Sequence, residues 1–389
     1  MDSQIIISGG GPIGSYLASN LKECSVQIME EHSEIGKPVQ CTGLVHPRVV
    51  ELANAEESVL NVIKGFRLFF PDGRVLEVKT DEAKAVVIDR CRFDNICCDS
   101  ARKSGAVINT DSRIIDFKRE HNGLAVSYMA DNKNNEINTN LLIGADGYKS
   151  HVGTCAGLGC AKEIVRGIQA DLEVTMPDQD LVEVYVGKEV APGFFAWILP
   201  CGEFTRVGVG ISKGNGIPSK YLDSLIEKRG FGEVNRTQTY SGVIPIGYPK
   251  STYADNIMIV GDAAAQTKPL SGGGLYTGMQ CAKYAAETAL DAVNSNNYSA
   301  AFLSAYEEKW KSEIGKELDR GMIIRKVFTG MSDKRLDEAG KLLDKPEARE
   351  IIATGDIDHP SKLARPLLKS VPSLMKLAPG ALKTLLLGR

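Results

Sequence analysis

The 389-residue chain carries 46 Lys+Arg against 49 Asp+Glu, a formal net charge of −3, with 24% charged and 43% hydrophobic residues. That composition excludes a disordered or fibrous polypeptide, and the near balance of charge argues against nucleic acid as the main partner. The length exceeds what one hydrophobic core usually serves, so two or more domains are expected.

Residues 4–8 read as a short buried strand, followed at once by Gly9-Gly10-Gly11-Pro12-Ile13-Gly14. Residues 15–21 are helix-compatible, and a second apolar run, Val26-Gln27-Ile28-Met29, ends at Glu30. Strand, glycine turn, helix and strand within about 30 residues have the length of a βαβ unit. In that context Gly9 permits a tight turn, Gly11 lets backbone approach a pyrophosphate, and Gly14 allows close helix–strand packing. The helix N-terminus offers free N–H groups to phosphates. Glu30, 21 residues after Gly9, is spaced to accept hydrogen bonds from adenosine ribose hydroxyls, with Glu31 a competing choice one residue on. An apolar strand this early leaves no room for a secretory leader, so the protein is expected on the cytoplasmic side.

Residues 141–147, Leu-Leu-Ile-Gly-Ala-Asp-Gly, form an apolar strand that ends in an Asp-Gly turn. Before the next such strand, residues 168–174, 181–186, 194–199 and 206–211 are alternating runs separated by turns. They predict an antiparallel sheet built into the chain between parts of the nucleotide domain. Phe195, Trp197 and Leu199 alternate and so share one face, which is either a wall for an apolar ligand or an ordinary packed face.

Residues 257–264, Ile-Met-Ile-Val-Gly-Asp-Ala-Ala, lead to Pro269-Leu270-Ser271-Gly272-Gly273-Gly274 and a helix-compatible stretch over 275–293. This segment separates a flavin from a nicotinamide dinucleotide. Asp262 emerges at a strand end, where a carboxylate can bind a ribityl hydroxyl. The three glycines remove side chains so that backbone can lie against a flat ring, and the helix N-terminus favours negative charge on the ring's pyrimidine edge.

Nine cysteines without a CxxC pair, and five histidines, suggest reduced thiols and no structural metal site. No apolar run approaches the roughly 20 residues that span a bilayer. From His359 onward there is no Asp or Glu, while Lys362, Arg365, Lys369, Lys376, Lys383 and Arg389 alternate with leucines, Val371 and Met375. Such short basic amphipathic pieces suit an anionic membrane surface, or equally a terminal subdomain covering the protein's own core.

Taken together, the sequence resembles the geranylgeranyl reductase family of FAD-dependent oxidoreductases, within the p-hydroxybenzoate hydroxylase superfamily. The matching pieces are the glycine turn with Glu30, Pro38-Val39-Gln40-Cys41-Thr42-Gly43, Asp89-Arg90 with Phe93-Asp94, residues 144–147 and residues 261–274; they cover roughly residues 1–295. The resemblance implies an α/β Rossmann-like FAD-binding domain, an α+β antiparallel-sheet substrate insertion and a C-terminal helical region. The implied division is 1–62, 83–157 and 251–296 for FAD, 63–82 for a β segment joining the substrate domain, 158–250 for the substrate sheet, and 297–389 for the helical region. It implies FAD contacts from Ile13 and Glu30, from Cys41, Thr42 and Leu44 beside the ring, from Arg90 and Ile114 along the adenine-diphosphate portion, and from Asp262, Gly274 and Leu275 at the ribityl chain and pyrimidine edge. Arg90 has its own rationale, since a guanidinium matches phosphate oxygens bidentately.

Two departures stand out. After Asp146-Gly147, hydroxylases of this superfamily usually continue to Ser and then Arg three residues later; here Ser150 is followed by Gly153, which weakens a hydroxylase reading. Where the family typically has Tyr-x-Trp-x-Phe-Pro, this chain has Phe195-Ala196-Trp197-Ile198-Leu199-Pro200. The resemblance implies reduction of isolated double bonds in geranylgeranyl chains of archaeal-type ether lipids and places Cys41 near the flavin, where its thiol, or a water it positions, is the expected catalytic proton donor. It also implies an external electron donor, NAD(P)H or a ferredoxin-like protein, and leaves room for peripheral association with the inner membrane face. The rival readings are a flavin-dependent monooxygenase and a membrane-docked electron-transfer flavoprotein.

Overall fold

The computed structural model describes residues 3–121 and 123–377. Its first sheet has eight strands, with five consecutive parallel members in the order Ile257–Ile259, Lys133–Gly144, Ser3–Ser8, Val26–Met29 and Val107–Asn109. Ile5, Ile6 and Ile7 are all fully buried, as expected for a parallel strand covered on both faces. Each such side chain contributes roughly 1.5–3 kcal/mol of burial. On one face the helices Pro12–Ser19 and Leu275–Ser295 pack against Ile5, Ile7 and Ile28; on the other, Ile114, Leu124 and Val126 of an antiparallel extension cover Ile6 and Leu142. That extension is the hairpin Arg113–Glu120 and Gly123–Ala130.

The second sheet has seven strands, in the order Arg236–Ile246, Glu163–Leu172, Thr205–Ser212, Ala196–Pro200, Leu181–Tyr185, Gly65–Phe69 and Val75–Lys79. The hairpin of residues 65–79 thus completes a sheet whose other strands come from residues 163–246, joined through the parallel pair of Gly65–Phe69 with Leu181–Tyr185. A small three-stranded sheet, Leu44–Val45, Ala85–Ile88 and Val59–Ile63, stands between the two.

Helix Ala300–Trp310 does not belong to a separate terminal region. Leu303, Tyr306, Trp310, Ile314 and Leu318 share the core of Ile5 and Ile7, so the nucleotide domain continues past residue 297. Tyr306 Oη donates to the Ile259 carbonyl at 2.9 Å and Trp310 Nε1 to Thr252 Oγ1 at 3.1 Å, which satisfies both polar tips.

Beyond it, Leu368, Val371, Leu374 and Leu377 are buried with Ala339 and Ala348 of the preceding helices, and Lys362, Arg365, Lys369 and Lys376 face outward. The apolar side of this segment therefore packs on the protein's own helices up to Leu377, the second of its two readings. Lys383 and Arg389 lie outside the described residues. No helix of the described residues is long and apolar enough to cross a membrane.

Candidate functional site

The glycine turn is built by collision avoidance. A side chain at Gly9, whose φ is +103°, would strike the Ala145 carbonyl, and one at Gly14 would strike the Gly9 carbonyl. Gly11 is different: nothing lies within 4 Å of where its Cβ would be. It precedes a helix whose first turn has no side-chain cap, so backbone N–H groups face open space. Glu30 is nearly buried; its Oε2 accepts the Gly10 N–H at 2.7 Å and its Oε1 accepts the His32 N–H at 2.9 Å. Oε1 also meets His32 Nδ1 at 2.6 Å, so it is Oε2 that keeps a further lone pair for a hydroxyl. Ile13 packs on Gly261 and Gly278, where a Cβ would lie 3.1 and 2.8 Å from its carbons. Ile114 is next to Glu30 through the Ser112 N–H bond to the Glu30 carbonyl, but its side chain is in the core and has no surface for a ligand.

Arg90 is tied down by the protein itself. It begins the helix Arg90–Lys103 and grips Asp94 one turn on with two bonds, 3.0 and 2.9 Å. It also interacts with the Cys41 thiol, and it is the charge that acts on Asp262. Arg90 is therefore coupled in charge to both Cys41 and Asp262, while Ile114 neighbours Glu30. Burial opposes the Arg90 charge, yet the Asp94 carboxylate more than offsets it and holds the guanidinium's pKa above its usual value.

Asp262 has surface exposed to the crevice but protein packed around it. Burial pushes its carboxyl up to about 6, with Arg90 pulling the other way. Among the described residues no hydrogen-bond donor reaches it. The three glycines beyond it are needed first by the protein itself. A Cβ at Gly272 would lie 2.8 Å from Ile244, one at Gly273 3.1 Å from Lys268 Nζ, and one at Gly274 2.9 Å from Asp262 Oδ1. Leu275 is the first residue of the following helix and is buried with Val45 and Phe93.

Cys41 sits on a loop pinned to the seven-stranded sheet. Gln169 Nε2 donates to the Cys41 carbonyl at 3.0 Å, and Gln169 Oε1 accepts from Thr42 Oγ1 at 2.9 Å. Arg206 Nη1 donates to the Thr42 carbonyl at 2.8 Å while its other nitrogens grip Asp171 at 2.7 and 2.9 Å. Tyr240 Oη completes the cluster, donating to Asp171 at 2.9 Å; burial, then Asp171, pushes the phenol up to about 12. The Gly43 N–H points at Cys41 Sγ, 3.4 Å away.

The aromatic strand divides its labour. Trp197 (8% exposed) and Leu199 (1%) are in a core with Ile63, Val87 and Val182, so Leu199 has no surface left for a substrate, contrary to expectation. Leu44 and Phe195 are only half-buried at the margin of that core. Phe195 stacks on Phe194 at 4.2 Å and meets Trp197 edge-on at 5.9 Å. Trp197 lies across Gly208, its cross-strand partner, where any side chain would collide with the indole. Its Nε1 is buried without a partner among the described residues.

A second buried ionic cluster locks the glycine bend. Lys268 Nζ pairs with Asp358 at 2.7 Å and donates to the Ile357 carbonyl at 2.9 Å, and its backbone exchanges bonds with Gly272 and Gly273. Arg48 reaches Asp356 at 2.9 Å beside it. The sequence reading missed Lys268, Asp358, Gln169, Arg206 and Asp171. A charge amid an apolar strand, as at Arg206, was the one signal available; its partner is set by a cross-strand register that only folding reveals.

Against known proteins, residues 161–243 match the model of the geranylgeranyl reductase catalytic domain. The chain is 32% identical over 387 residues to the digeranylgeranylglycerophospholipid reductase of Methanocaldococcus jannaschii, covering 96% of both. It superposes on a geranylgeranyl bacteriochlorophyll reductase-like structure from Thermoplasma acidophilum with a TM-score of 0.87 at 24% identity, covering 100% of this chain and 99% of that one. A flavin-dependent brominase shares the fold at a TM-score of 0.72 and 15% identity, covering 96% of this chain and 100% of that one. With that relationship running along nearly its whole length, the chain belongs to the geranylgeranyl reductase family.

Proposed function

We propose that this protein is an FAD-dependent reductase that saturates isolated C=C bonds in the geranylgeranyl chains of ether-lipid precursors. The residues fit FAD. Gly11 opens on free space below an uncapped helix start, Glu30 Oε2 keeps a lone pair for a hydroxyl, and Asp262 holds a carboxylate that no donor among the described residues reaches. When bound, FAD supplies the hydride equivalent. The Gly9, Gly11 and Gly14 backbone and Glu30 would hold its nucleotide half, and Asp262, Gly274 and the backbone of Leu275 its flavin half.

An isolated alkene has no neighbouring carbonyl to take up charge, so hydride delivery to one carbon has to be coupled to protonation of the other in a dry site. Cys41 is the proposed proton donor. Arg90 orients its thiol, and the Gly43 N–H contact at 3.4 Å limits the directions Sγ can take. Phe195 and Leu44, the half-buried apolar groups beside this loop, would contact the prenyl chain and exclude water, with Trp197 backing Phe195. Reducing equivalents enter from an external nicotinamide or ferredoxin-like donor.

The observation that carries this reading is that Arg90, whose charge feels the Cys41 thiol, also acts on Asp262, while Gly261 beside Asp262 packs on Ile13 of the dinucleotide turn. The test is anaerobic incubation of chemically reduced holoprotein with a geranylgeranyl lipid, followed by mass spectrometry. Two hydrogens gained per event are expected, and Cys41→Ala with full FAD occupancy should slow turnover at least about tenfold. An oxygen-dependent product instead would make it a hydroxylase; wild-type turnover by the variant would remove Cys41 from the mechanism.

A further inference from the structure

Phe194 is fully buried, yet its ring touches both halves of the site. It stacks on Phe195 at 4.2 Å with the two planes 21° apart, and its Cζ lies 3.2 Å from where a Cβ at Gly272 would be. Phe195 is the half-buried ring beside the proposed prenyl chain, and Gly272 is the first glycine of the bend that follows Asp262. A side chain at Gly210 would strike the Phe194 ring, so the neighbouring strand is bare where the ring lies. The Gly210 N–H donates to the Phe195 carbonyl at 3.0 Å, which ties the same strand to the next residue.

Arg325, on the helix Lys316–Thr329, holds Phe194 in two ways. Its side chain is fully buried, with the guanidinium carbon 5.7 Å from the centre of the Phe194 ring, within cation–π range. Its Nη2 donates to Ser212 Oγ at 3.2 Å, and Ser212 Oγ donates to the Gly193 carbonyl at 3.0 Å, which fixes the backbone just before Phe194. Gly193 has a φ of +77°, and a side chain there would strike the Ser212 hydroxyl, so this relay requires glycine. Arg325 Nε donates to Glu163 at 3.0 Å, a carboxylate whose side chain is 46% exposed. The same helix braces the bend: a Cβ at Gly321 would lie 2.9 Å from Pro269, and Met322 packs beside Phe194. A buried charge is a poor source of stability, but its directed N–H bonds and its planar fork fix one arrangement of the groups they reach.

We propose that Arg325 is a positioning residue for the reduction, acting through Phe194 to fix the spacing between the glycine bend and the prenyl chain at Phe195. The proposal rests on the reductase reading above. Phe194 is the spacer, and neither residue touches the reacting atoms. A loosened spacer leaves the lipid bound but its double bond poorly aligned, so the loss falls on the chemical step and not on binding.

The test is a double-mutant cycle on FAD-loaded protein with Arg325→Met, Phe194→Leu and the pair, and with Arg325→Lys as the conservative variant. The first readout is the anaerobic single-turnover rate at which a geranylgeranyl glycerol ether reoxidises the chemically reduced holoprotein. Each of Arg325→Met and Phe194→Leu should slow this rate at least about tenfold, while KM for the ether stays within about threefold of wild type. The pair should lose no more than Phe194→Leu alone, and Arg325→Lys, which keeps a cation opposite Glu163, should recover part of the loss. The second readout, near-ultraviolet circular dichroism, needs no substrate. Trp197 meets Phe195 edge-on, so Arg325→Met should alter the indole bands, and should alter them no further once Phe194 is Leu. Additive losses in the pair, a loss confined to KM, release of FAD in place of a slower rate, or unaltered indole bands would each overturn the proposal. If Arg325→Met folds poorly, Arg325→Lys alone and in the Phe194→Leu background closes the same cycle. If the ether does not reoxidise wild type, the reductase reading falls, and the indole bands still decide whether Arg325 positions Phe195.

Discussion

In the amino-terminal turn, the contact that ties phosphate-facing backbone to the ribose-facing carboxylate spans 20 residues, from Gly10 to Glu30. Around Cys41 the corresponding contacts span 127 residues from Thr42 to Gln169, 128 from Gln169 to Cys41, and 164 from Arg206 to Thr42. The first region is a property of a short stretch of chain and works through backbone, with glycines excluding side chains. The second is assembled from a loop and three strands of the seven-stranded sheet and works through buried charge. A local cradle of the first kind depends on few distant residues, so the second region can be altered without rebuilding it.

The comparison can be broken most forcefully at the glycines. Gly14→Val should destabilise the fold by about 4 kcal/mol or more, because its side chain meets the Gly9 carbonyl. Gly11→Val, facing open space, should cost only about 1 kcal/mol yet weaken FAD binding at least about a hundredfold. Thermal melting with and without FAD separates the two; equal loss of stability in both would mean that Gly11 serves packing and not a ligand.

The Cys41 side should break differently. Arg206→Met leaves Asp171 buried and unpaired, and a loss of about 3–5 kcal/mol is expected in urea unfolding. The double variant with Asp171→Leu should recover much of that loss. FAD affinity should fall less than about tenfold in the folded fraction, because the nucleotide turn is untouched. A loss of FAD as severe as in Gly11→Val would show that the two regions are one unit.

The smallest effect is electrostatic. With its carboxyl at about 6, above the unfolded value near 3.9, Asp262 makes the folded apoprotein hold more protons than the unfolded chain between those values. Stability of the apoprotein should therefore decline as pH rises from about 4 to about 6, and Asp262→Asn should flatten that slope. An unchanged slope in melting temperature against pH would locate the proton elsewhere.

These differences explain what was readable in advance. The turn at Gly9, Gly11 and Gly14 with Glu30, and the strand, Asp262, glycine bend and helix, are local patterns, and the parallel strands they predict are present. Arg206 and Asp171 face each other only because Glu163–Leu172 and Thr205–Ser212 pair in one register; a shift of one residue would separate them. Periodicity assigned Leu199 correctly to a face but could not say that the face is covered by Val87 and Ile63. The leucines after His359 had the same ambiguity, resolved by the neighbouring helices that bury them.

Lys268 and Asp358 have one more consequence, for the order of events in the cell. The bend that is to cradle the ring is synthesised 90 residues before the carboxylate that bolts it down. A nascent chain halted between them already owns its nucleotide turn, but its ring-side bend lacks the ion pair that fixes it. Full order at that bend is expected only once the residues around Asp358 have docked.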